Sequence, residues 1–74
     1  MTSGEIKRLA RSLGYGTASL QSIAPGRYAL MLKRQRYPYV VELSDTDFSL
    51  QPAEMEALIR ERVKPLGAYL AAHH

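Results

Sequence analysis

With 74 residues, 46% hydrophobic and 23% charged, and a formal net charge of +3, the chain has the composition of one folded domain and not of a disordered segment. It contains no cysteine, which excludes a disulfide framework and any thiolate metal site. No apolar run approaches the ~20 residues of a membrane span. A domain this small buries only about 60–65% of its unfolded surface, so good helix packing or self-association is what remains to stabilise it.

The first predicted element is a helix over residues 3–13. Thr2 and Glu5 have the spacing of a capping box, a hydroxyl at the N-cap and a carboxylate three residues later. Ile6, Leu9, Ala10 and Leu13 follow on one helical face, with Lys7, Arg8 and Arg11 on the other. Gly14 supplies the residue that can close a helix in the left-handed conformation. This opening stretch is charged throughout and has no apolar heart, so it does not read as a secretory signal. The expectation is a soluble, cytoplasmic protein, of a size that suits a bacterial or phage accessory protein.

Residues 14–26 are the least legible. Thr17 to Ile23 is compatible with a short edge strand, and Pro25-Gly26 is a turn signal. From Arg27 the period becomes two: Tyr28, Leu30 and Leu32 share one face, then Tyr37, Tyr39, Val41 and Leu43 repeat the pattern. A hairpin over 27–33 and 37–43 follows. Pro38 requires its strand to be paired on one side only at that point. The link through Arg34, Gln35 and Arg36 lacks an Asn-Gly pair, so a looser loop of about three to five residues is predicted.

Ser44 to Asp47 make a polar exit. Leu50 and Met55 then stand at hydrophobic-staple spacing about Gln51, and Pro52 occupies the first helical position, where it removes no hydrogen bond. An apolar stripe runs from Met55 through Leu58, Ile59, Val63 and Leu66 to Leu70, interrupted by Pro65. The helix is expected to kink there or to break into 52–63 and 65–72. Since a lone hairpin is unstable in water, both helices must cover its apolar face. The fold class is therefore α+β: a small single domain, 1–74, in the order α-β-β-α, or α-β-β-β-α if residues 17–23 pair. Its core is predicted to hold Ile6, Leu9, Leu13, Tyr28, Leu30, Leu32, Val41, Leu43, Leu58, Ile59, Val63 and Leu66. The order recurs in unrelated small families and licenses no function.

Catalytic signals are missing. There is no cysteine, and the two histidines are the last two residues, where they are as compatible with a tag as with a native end. The common nucleophile–base pairs are therefore not present, and a non-enzymatic protein without cofactor is expected. Asp45, Asp47, Ser49 and Glu56 echo a calcium loop, but Leu50 stands where its glycine belongs and Pro52 opens a helix too early, so no metal is implied. Gly14-Tyr15-Gly16 follows a helix and not a strand, unlike a phosphate loop.

Two surfaces remain. Residues 1–41 hold seven basic side chains against Glu5 alone, +6, while residues 42–74 sum to −3. Lys33, Arg34, Arg36 and Tyr37 sit at the hairpin tip, and Arg8 and Arg11 would add to them if helix one ends on that side. Such groups suit phosphates and unpaired bases. They equally suit a solvated tip or two halves that neutralise each other. On the opposite sheet face, Ala29, Met31 and Val40 have no evident cover and read as a protein-contact patch. A protein-binding or self-associating module comes first on this reading, a nucleic-acid-binding accessory protein second. No membrane partner is expected.

Overall fold

The structure is a computed structural model that describes residues 1–72; His73 and His74 lie outside the described residues. Helix α1 (Ser3–Ser12) begins with the predicted capping box: the Glu5 amide donates to Thr2 Oγ1 at 3.2 Å and the Thr2 amide to Glu5 Oε1 at 3.1 Å. Those bonds hold the Glu5 carboxyl below its ordinary pKa, the Thr2 amide contributing most. At the other end the Tyr15 amide donates to Ala10 O at 3.3 Å and the Gly14 amide to Arg11 O at 3.0 Å. This is a Schellman closure, and Gly14 takes the positive φ of 104° that it requires. The residue just beyond, Tyr15, is thereby turned into the core beside Ala10, where it is 8% exposed.

Three eight-residue strands follow, β1 (Thr17–Ala24), β2 (Arg27–Arg34) and β3 (Tyr37–Ser44). The 17–23 segment does pair, so the order with three consecutive strands is the one observed. Both hairpins close with two residues. In the first, Ala24 pairs Arg27 across Pro25-Gly26, with Gly26 at φ 72°, and the register slips at Ile23 to leave a bulge. A side chain at Gly26 would also meet Asp45 Oδ2 at 3.1 Å, so the position is doubly restricted to glycine.

In the second hairpin Arg34 pairs Tyr37, which leaves only Gln35 and Arg36 in the link. The looser loop expected there is not formed. Gln35 carries the positive φ of 59° that the first loop residue of a type II′ turn needs, a place dominated by glycine. The eight-pair register of β2 with β3 imposes the tight turn on a residue that does not favour it. Gln35→Gly is accordingly expected to raise stability, by about 0.5–1 kcal/mol in denaturant unfolding, by relieving that strain.

A single 3-10 segment (Asp45–Ser49) leads into α2 (Pro52–Arg62), which opens with Pro52 at its first position and with the Glu54 carboxylate accepting from the Gln51 amide at 3.1 Å. The chain then breaks at Pro65 as predicted. What lies between is a two-residue strand, β4 (Lys64–Pro65), paired with Val40 and Tyr39, before the short helix α3 (Leu66–Ala72). The domain is thus α+β, with a four-stranded antiparallel sheet in the order β1-β2-β3-β4. Because β4 reaches only Tyr39 and Val40, Pro38 is paired on the β2 side alone, as its missing amide demands.

Helices α1 and α2 both lie on the predicted sheet face. Ile6, Leu30, Val41, Met55 and Ile59 are fully buried between the two layers, joined by Leu32, Leu43 and Leu58. Leu9, Leu13, Tyr28 and Val63, expected in the core, pack at its margin, and Tyr28 stacks on Phe48 with ring centres 5.0 Å apart. Its phenol is held above the ordinary tyrosine pKa by a hydrogen bond to Asp45.

Leu66 is elsewhere. It lines a small cleft with Met31, Thr17, Ser19, Lys33 and Pro38, side chains of the opposite sheet face. Pro65 therefore does more than break the helix. With no amide to donate, it ends the outermost strand, and the chain crosses the sheet edge to start α3 on the second face. The patch read from the sequence on this face is not open as expected: Ala29 is 3% exposed and Val40 fully buried, and Met31 alone of the three is half-buried. No described helix is long and apolar enough to cross a membrane.

Candidate basic surface

The charge of this molecule is sorted along its strands. The β2–β3 turn marks one end, and the two ties between α1 and the hairpin are at that end. Arg34 Nη2 donates to Leu13 O at 2.9 Å, and the Gly16 amide donates to Lys33 O at 2.9 Å. The last turn of α1 is thereby docked on the tip, and it carries Arg11 there. Arg8, three residues back on the same side of the helix, extends the row. Arg8, Arg11, Lys33 and Arg36 are exposed, as is Tyr37, which is 65% accessible beside Arg34.

Arg34 has a different place from its neighbours. Besides capping the terminal carbonyl of α1, its guanidinium lies 4.5 Å from the centre of the Tyr15 ring, which meets Tyr39 edge-on at 6.2 Å. A cation at a helix C-terminus is favoured by the helix dipole, and a guanidinium over an aromatic face adds a cation–π contact. Arg34 thus clamps α1, the tip and the aromatic pair together. With Leu13, Tyr15, Arg60 and Val63 it lines an open cleft of about 330 Å³. Arg60 enters this cleft from α2 while paired with Glu56 at 2.8 Å. The sequence groups Arg34 with the free tip cations because nothing local announces a partner 21 residues away. For the same reason Tyr15 reads there only as part of a helix stop.

The opposite end is neutralised. Arg27 pairs with Glu42 at 3.6 Å, and Arg62 with Asp47 at 3.1 Å, where Asp47 also accepts from the Ser44 amide at 2.8 Å. Asp45 lies against Gly26 in the same region, and the terminal ammonium of Met1 donates to Phe48 O. Of the seven cations in residues 1–41, only Arg27 is matched to a carboxylate among the described residues. The two halves of the chain therefore do not cancel each other across the fold. Arg8 acts on the Glu5 carboxylate one turn back, but Lys7, Arg11, Lys33 and Arg36 form no ion pair among the described residues, and the last three gather where α1 meets the tip.

Among the described residues no group of acidic or imidazole side chains has the arrangement of a metal site. Comparison of the chain with protein-family models, with curated proteins and with solved structures finds no match to any of them.

Proposed function

We propose that this protein binds nucleic acid through the end formed by the β2–β3 turn and the last turn of α1, as a non-enzymatic accessory protein. The observation that carries the reading is the segregation of charge. Cations at the base of the sheet are matched to carboxylates, whereas Arg11, Lys33 and Arg36 at the tip are not. Groups left unmatched on a projecting hairpin can neutralise phosphates and release their counterions. Tyr37 beside them offers a ring on which an unpaired base can stack, worth about 1–3 kcal/mol in such sites. The case for a protein-binding patch at Ala29, Met31 and Val40 is weakened, since two of the three are covered by the chain itself.

The test is a titration of labelled single-stranded and duplex oligonucleotides at two salt concentrations, repeated with Arg11→Gln/Lys33→Gln/Arg36→Gln. Removing one cation that neutralises a phosphate should lower the slope of log affinity against log salt by about 0.7–0.9, so the triple variant should lower it by about 2 to 2.7. Tyr37→Ala should weaken the single strand more than the duplex. Absence of binding to either oligonucleotide at low salt, where phosphate attraction is strongest, would end this reading.

A further inference from the structure

The two edges of the sheet are not alike. β4 is two residues long and runs straight into α3, but β1 is eight residues long and pairs with β2 on one side only. Exposed strand edges are ordinarily protected from further pairing by lysine, proline, inward charge or a strong bulge. Along Thr17–Ala24, TASLQSIA, there is no charge and no proline, and the one bulge falls at Ile23, past the straight run. Among the described residues no other strand pairs with the outer row of β1. Ile23 remains 43% exposed beside it.

We propose that β1 is the self-association surface of this protein, and that its occupant is β1 of a second copy in antiparallel register, giving one continuous eight-stranded sheet. Two features single out a second copy over another strand. An antiparallel strand about a two-fold axis is complementary to itself, and centring the axis on Leu20 places each residue of the straight run opposite one from the same sheet face. Leu20 then meets its own counterpart on the core side, and small Ala18 faces Ser22, so nothing bulky holds the backbones apart. The second feature is charge. β1 starts beside Lys33 at the basic end and finishes beside Arg27 and Gly26, where Asp45 lies. Antiparallel pairing therefore sets the unmatched cations of each copy beside the neutralised end of the other and keeps the two basic ends apart. Parallel pairing would bring like ends together.

Sedimentation equilibrium of the full chain from low to several hundred micromolar tests the proposal, with Gln21→Lys and Gln21→Glu as the variants. Gln21 is exposed and lies on the face away from the core, so neither change disturbs the packed side. In the proposed register each Gln21 sits one step diagonal to its counterpart, within reach of a long charged side chain. The wild-type chain should dimerise, and each variant alone should dissociate at least tenfold more readily, with a thermal midpoint equal to that of the wild type at concentrations low enough for both to be monomeric. An equimolar mixture of the two should recover association. A wild-type chain that stays monomeric at the highest concentration would overturn the proposal. So would variants that dimerise as well as the wild type, because the interface would then lie elsewhere. Oligonucleotide binding is read separately, so either proposal can fail without the other.

Discussion

Leu30→Ala is expected to destabilise the domain by about 2–5 kcal/mol, read as a collapse of the thermal unfolding transition followed by circular dichroism. Leu30 stands at the middle of the sheet, with Leu20 opposite on β1 and Val41 opposite on β3, and is fully buried beneath α1 and α2. Truncation removes its transfer energy and leaves a cavity that surrounding strands, fixed by register on both sides, cannot close. Small domains are stable by roughly 0.05–0.15 kcal/mol per residue, so the loss is a large share of the total here. Met31→Ala, one residue along and on the other face, provides the control. Met31 is half-buried in the cleft beside Leu66, and its truncation should cost distinctly less. Equal effects, or an unchanged midpoint for Leu30→Ala, would mean that the strand faces are assigned the wrong way round.

Arg34→Ala should separate stability from binding. The substitution removes the 2.9 Å bond to Leu13 O and the stacking of the guanidinium on the Tyr15 ring. Hydrogen bonds from charged donors and exposed cation–π contacts together suggest a loss of about 1–2 kcal/mol for this solvent-accessible pair of interactions. In a domain of this size that is a fall of roughly 5–15 °C in midpoint. Its effect on the salt dependence of oligonucleotide binding should be small, measured at a temperature where the variant is still folded, because the guanidinium is already committed to α1. Arg36→Ala should behave in the opposite way, with the midpoint held and the slope reduced. If Arg34→Ala instead lowered the slope and left the midpoint intact, its role would be at the binding surface and not in holding α1 to the tip.

The contrast between these two arginines, two residues apart in the chain, shows where local reading stops. Features announced by one or two residue types close in the chain were legible in the sequence: the Thr2–Glu5 capping box, the closure at Gly14, the alternation of β2 and β3, Pro52 at the start of α2 and the break at Pro65. Each is a local conformational preference stated by one or two residue types. The main core residues followed as well, since Ile6, Leu30, Val41 and Ile59 lie on faces that periodicity alone defines. Tertiary structure decided the rest. TASLQSIA is compatible with a strand without announcing one, and it became β1 because the free edge of β2 was there to pair with it. The tight turn at Gln35 came from strand register against the residue's own preference. Pro65 announced an interruption but not a direction, and only the passage over the sheet edge brought Leu66 beside Met31 on the second face. Arg34 became a clamp for the same physical reason: its partner carbonyl is remote in sequence and comes within reach only after α1 has packed against the sheet.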